Sequence, residues 1–182
     1  MAIDDGTYAL GPESGRLLVK TSRTGLGSKA GHDLTIEVTR WQGRATVDTA
    51  EPANSSVSVD ADVDSFEVIE GTGGVKPLSD SDRAEIKKTL REKILQSSRY
   101  PSITFRSTKV SGTPESFTAQ GDLSIAGTTN PATVRGGITD GRARGDTTIA
   151  QTQWGIQPYS AFFGALKLAD EVAVEFDVAL AS

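Results

Sequence analysis

Val57, Val59, Ala61 and Val63 alternate with Ser58, Asp60, Asp62 and Asp64. A run that switches between apolar and polar at every step fits an extended strand with one face buried and the other in water. The same period of two returns along the chain. Leu17, Val19 and Thr21 share one face of residues 16–22, and Leu34, Ile36 and Val38 alternate with Thr35, Glu37 and Thr39. Val172, Val174, Phe176, Val178 and Leu180 alternate with Glu171, Ala173, Glu175, Asp177 and Ala179. Phe117, Ala119, Gly121, Leu123 and Ile125 hold one parity, with Gly121 a site for a bend or bulge. Weaker strands are expected at 7–10, 45–49, 133–139 and 142–151, the last two around an Asp140-Gly141 turn. The pattern amounts to roughly eight to ten strands with turn signals between them. Antiparallel strands of this kind close into a barrel or pack as a sandwich, and a barrel removes the exposed edges.

A single helix interrupts the strands. In residues 79–98, SDSDRAEIKKTLREKILQSS, Ile86, Leu90 and Ile94 recur every four positions and form a narrow apolar stripe. Ser79 to Asp82 supply N-cap candidates and negative charge for the helix start. Tyr100-Pro101 stops it, and Ile103 and Phe105 alternate with Thr104 and Arg106 in the strand that follows.

The 182 residues suit one domain, 1–182, with a core of its own. With 19 Lys and Arg against 24 Asp and Glu, the net charge of -5 argues against nonspecific contact with nucleic acid or an anionic membrane. Zero cysteines exclude disulfides, thiol catalysis and cysteine-bound zinc. The opening residues lack a basic segment followed by an apolar run, no stretch approaches the ~20 apolar residues of a membrane helix, and a cytoplasmic location is expected.

Candidate chemistry is sparse. His32 is the one histidine, and no second histidine or cysteine could complete a metal set with it. It reads as a hydrogen-bonded loop residue at a strand start rather than a ligand or proton-transfer group, and with no GxSxG sequence a hydrolase is not expected. Gly71-Thr72-Gly73-Gly74-Val75-Lys76 lacks the GK[ST] ending of a phosphate loop and reads as a connection. Asp60, Asp62 and Asp64 read as a solvated strand face rather than a cation site. The stretch QWGIQPYSAFFGAL differs, because Trp154, Tyr159, Phe162 and Phe163 place four of the eleven aromatic residues within ten positions. They suit a plug closing one end of the β core, or the lip of an apolar cavity.

Several blocks together resemble the YceI-like family of bacterial lipocalin-shaped proteins that bind polyisoprenoid or similar long apolar chains. Residues 100–108, YPSITFRST, are similar to its YPTITFKST signature, and 121–131, GDLSIAGTTNP, follow its G-x-L-T-I-H-G-V-T-K-P pattern. The opening GTYALGPESGRLLV, Trp154-Gly155-Ile156 and Asp170-Glu171-Val172 match its start and its FGI and DEV endings. Three places depart from the pattern. Ala126 stands where histidine is usual, Gln151 and Gln153 where arginine and aspartate are frequent, and the loop reads KAGHDL rather than HLG. These changes bear on how a ligand's polar end is anchored, less on the barrel.

The resemblance implies a mainly β fold, an eight-stranded antiparallel lipocalin-like barrel with one amphipathic helix inserted between strands. It implies noncatalytic binding, carriage or sequestration of a polyisoprenoid, isoprenoid quinone or fatty-acyl lipid, without a cofactor, metal or catalytic residue. The alternative is a protein-interaction or structural barrel filled by its own side chains. In such a barrel the inward residues are Leu17, Val19, Leu34, Ile36, Val38, Val57, Val59, Val63, Phe105, Leu123, Ile125, Val174, Phe176 and Val178, with Trp154, Tyr159, Phe162 and Phe163 at the lip. The expected partner is one long apolar small molecule, with no nucleic acid and no integral membrane segment; assembly as a homodimer is left open.

Overall fold

The computed structural model describes residues 3–24, 33–73, 77–161 and 166–180. Among them the strands are β1 (Gly6–Leu10), β2 (Gly15–Lys20), β3 (Arg23–Thr24), β4 (Asp33–Val38), β5 (Trp41–Val47), β6 (Ser56–Asp62) and β7 (Phe66–Thr72). After the helix come β8 (Ser102–Thr113), β9 (Ser116–Ile125), β10 (Thr128–Thr139), β11 (Arg142–Ala150), β12 (Ser160–Ala161), β13 (Leu166–Leu168) and β14 (Glu171–Ala179). Eleven of them form one curled antiparallel sheet in the order β1-β5-β6-β8-β9-β10-β11-β14-β2-β4-β7. A second, three-stranded sheet orders β12-β13-β3, so the stretch QWGIQPYSAFFGAL is partly strand.

The large sheet therefore holds eleven strands, not eight. The difference has a local cause: three chain runs bend. β1 gives way to β2 across residues 11–14, where the Ser14 N–H donates to the Gly11 carbonyl at 3.0 Å. β4 gives way to β5 across 39–40, and β6 to β7 across a single 3-10 turn, Val63–Ser65. Two of these corners are bonded together. Thr39 donates its N–H and its hydroxyl to the Ser65 carbonyl (3.0 and 2.8 Å), and Ser65 Oγ lies 2.7 Å from the Asp62 oxygen and 3.2 Å from that of Arg40. Ser65 is 1% exposed, and these contacts satisfy its polar atoms.

Elsewhere the strands run longer than periodicity indicates. β7 occupies residues expected partly as loop, pairing Glu70 with Thr35 and Gly71 with Leu34. β10 begins at Thr128 and carries Pro131 inside it. The proline is tolerated because β11 joins β10 only from Arg135 onward, so the missing N–H faces no neighbouring strand. The irregularity expected at Gly121 falls on its partner. Ser107 pairs with Gly121 and Lys109 with Gln120, which leaves Thr108 as the extra residue. Asp140 and Gly141 take positive φ (52° and 74°), as a tight hairpin turn requires.

Helix α1 (Asp80–Thr89) starts as the sequence indicates. Ser79 Oγ accepts from the Asp82 N–H and Asp82 Oδ2 accepts from the Ser79 N–H, both at 3.0 Å, a reciprocal capping box. It ends earlier than expected, because Leu90–Ile94 widen into a π turn and Gln96 adopts φ 51°. That last turn delivers Leu95, 6% exposed, into the core. Tyr100 then lays its ring on the next hairpin: a Cβ on Gly127 would sit 2.7 Å from Tyr100 Cε1, so the YP block and the glycine of the following block fit each other.

Candidate ligand cavity

Alternation sorts each strand of the large sheet into two faces, and the outer faces carry paired charges. Arg16 meets Glu37 at 2.7 Å, Lys20 meets Glu175 at 3.0 Å, and Asp177 accepts from both Arg142 (2.8 Å) and Arg144 (3.0 Å). The acidic row on β6 and its turn is matched in the same way: Asp60 with Arg106, Asp62 with Arg40 and Asp64 with Arg91, at 2.7, 3.0 and 3.2 Å. All are solvent-facing pairs, of the kind that add little to stability. The Arg144 and Arg142 guanidiniums hold the Asp177 carboxyl below the usual carboxylate range.

The inner face surrounds a hollow of about 720 Å³. Leu17 and Val19 of β2, Leu34, Ile36 and Val38 of β4, and Val57 and Val59 of β6 line it. Phe105 of β8, Leu123 and Ile125 of β9, and Val174, Phe176 and Val178 of β14 line it as well. Helix α1 covers one side, with Ile86, and Leu90 and Ile94 of the π turn, on the same hollow. α1 itself buries no residue fully; ion pairs from Lys87 to Glu67 and from Arg91 to Asp64 fasten it and its π turn to β7 and the Val63–Ser65 turn.

Two expected residues fall elsewhere. Val63 lies at the bend, 1% exposed, packed in the core but off the cavity wall. Trp154 is likewise off the wall. The 3-10 turn Gln151–Trp154 lays its ring against the sheet, where Nε1 donates to the Leu123 carbonyl of β9 at 2.8 Å and one side borders a small polar depression with Arg135 and Asp146. It packs on the sheet and is not a lip. Tyr159 does line the cavity and is 46% exposed, as a rim residue should be. Phe162, Phe163 and His32 lie outside the described residues, as do Gly74, Val75 and Lys76.

Some wall residues carry little advance signal. Val134 and Ile138 sit in a run broken by glycines, and Asp48, Pro52 and the strand-end residue Thr113 also border the hollow. Asp48 accepts from the Glu51 N–H (2.9 Å) and from Asn54 Nδ2 (3.2 Å), which hold its carboxyl below the usual range. Polar groups on the wall are mostly engaged: Thr147 donates to the Thr133 carbonyl at 2.7 Å and Gln151 Nε2 to that of Ala169 at 3.1 Å. Trp41 is different, because its buried Nε1 has no acceptor, a state that costs about 1–3 kcal/mol. Of the family departures, Ala126 forms a hairpin turn at φ 48°, Gln151 reaches the cavity, and the Gln153 carbonyl accepts from Asn130.

The family model of the YceI-like domain matches residues 9–180. The chain belongs to the YceI-like family. Solved structures agree on the fold. BcnA of Burkholderia cenocepacia superposes with a TM-score of 0.65 at 18% identity, over 91% of this chain and 96% of that one. A polyisoprenoid binding domain from Saccharophagus degradans, implicated in plant cell wall breakdown, gives 0.60 at 10% identity over 98% and 99%. The Campylobacter jejuni YCEI protein gives 0.57 at 14% identity over 81% and 84%. No curated protein matches the chain.

Proposed function

We propose that this protein binds one long apolar molecule, a polyisoprenoid, isoprenoid quinone or fatty-acyl lipid, inside its cavity and carries or sequesters it without chemical change. The hollow of about 720 Å³ carries the reading: a self-filled interior leaves no such space, and small-molecule sites run about 300–1,000 Å³. Counting each bent run once supports it. β1β2, β4β5, β6β7, β8, β9, β10, β11 and β14 then follow one another as eight runs, each paired to the next, with β14 returning to β2. An eight-stranded barrel encloses room for one small ligand. A chain that leaves ~400 Å² of apolar surface on such walls gains about 10 kcal/mol before ordering costs, enough for micromolar affinity. The name of the Saccharophagus domain points the same way.

Organic extraction of the purified protein followed by mass spectrometry tests the reading. A stoichiometric long-chain lipid is the expected result. Protein that emerges empty, and that takes up neither added polyprenol nor fatty acid, overturns it.

A further inference from the structure

The chain has two tryptophans, and the structure treats their indole N–H groups in opposite ways. That of Trp154 is bonded to the Leu123 carbonyl. That of Trp41 is buried and bonded to nothing, although an indole N–H is a donor whose loss of water must be made good. Trp41 opens β5, is 8% exposed, and forms part of the cavity wall. Its strand neighbour is Ala61, also on the wall, so no side-chain acceptor stands opposite. Arg83 Nε is also buried without an acceptor, and Arg91 Nε has only the Asp64 carboxylate at 3.2 Å; both belong to side chains with further N–H groups, and neither lines the cavity. Among the described residues, Trp41 is thus the one unanswered buried donor on the cavity wall.

We infer that Trp41 selects, among apolar ligands, those carrying an uncharged hydrogen-bond acceptor, a ketone, ester or quinone carbonyl, at the depth of its ring. This deepens the proposed function and rests on it. The donor is closed to water from the hollow as well as from outside, so an acceptor inside meets it only if the ring turns. Such a turn breaks no hydrogen bond of the indole, which makes none in the protein. Charge is disfavoured. Arg23, the cation on the described wall, pairs with Asp33 at 3.0 Å, so an anion beside Trp41 would lie desolvated among hydrocarbon.

The test uses 2-tridecanone and n-tridecane with the intact protein. Labelled with ¹⁵N, the chain gives two indole cross-peaks. The ketone should bind about tenfold more tightly than the alkane and move the Trp41 peak downfield, while the alkane leaves that peak near its starting position. Trp41→Phe should bring the two affinities together, and continued uptake of tridecane by the variant reports an intact cavity. Equal affinities in the natural protein, or a preference that survives in the variant, overturn the inference and leave the cavity reading standing. Failure of both probes to bind overturns the two together.

Discussion

Phe176 lies across Gly145, its directly paired neighbour on β11, so closely that a Cβ on Gly145 would sit 2.6 Å from Phe176 Cζ. The same Cβ would fall 2.3 Å from the Arg135 carbonyl oxygen, which belongs to backbone and cannot swing away. The glycine therefore lets an aromatic ring of the cavity wall lie flat against the sheet. Gly145→Ala should cost about 1–3 kcal/mol, read as a lower denaturant midpoint at unchanged slope. A midpoint equal to that of the natural protein would show that the strands part easily at this place.

Trp154 and the wall residues should separate stability from binding. Trp154→Phe leaves the Leu123 carbonyl without its indole donor and should lower stability by about 1–2 kcal/mol. Ligand affinity should stay within about twofold, because the ring does not border the cavity. Titration of an environment-sensitive apolar dye alongside chemical unfolding measures both quantities.

Filling the hollow should do the reverse. Val59 and Val174 are half-buried on the wall, so larger rings grow into empty space rather than into packed neighbours. The double variant Val59→Phe/Val174→Phe should hold its melting temperature, or raise it, and lose dye and lipid uptake by about tenfold or more. Retained uptake would place the bound molecule elsewhere on the protein.

Asp177 predicts a dependence on pH. Its carboxyl is held below the ordinary value by Arg144 and then Arg142. A carboxylate with a lowered folded pKa contributes stability above its unfolded value, about 3.9, and that contribution disappears as pH falls through the folded value. Asp177→Asn should thus be less stable than the natural protein near neutrality, and the two should converge as the solution is made more acid than about pH 4. Parallel unfolding midpoints across that range would remove Asp177 from the account. The pair is exposed, so added salt should narrow the gap.

Much of the wall is legible in the sequence, because side-chain direction in a strand depends on parity alone. Once Leu34, Ile36 and Val38 are known to share a face, one correct assignment fixes all three, and the same holds along β2, β6 and β14. The helix start is legible for a similar reason: its cap is a local exchange of bonds between Ser79 and Asp82. What parity cannot supply is the place where an extended run turns a corner. Val63 keeps the alternation of β6 but sits in a 3-10 turn, so its side chain enters the core instead of the hollow. Trp154 fails for the same reason, one 3-10 turn redirecting a residue whose composition suggested a lip. β7 shows little alternation because Phe66 and Val68 are separated from Gly71 by a register shift opposite Thr35 and Ile36.

The corner at Ser65 has a reach beyond its size. Its carbonyl receives Thr39 from one bent run, and its hydroxyl sits against Asp62 of the other, so neither run can straighten while the other stays folded. The girth of the chamber is accordingly governed from a serine that never touches its contents. A guest too stout for the walls meets resistance there first, in the masonry behind the room rather than in its lining.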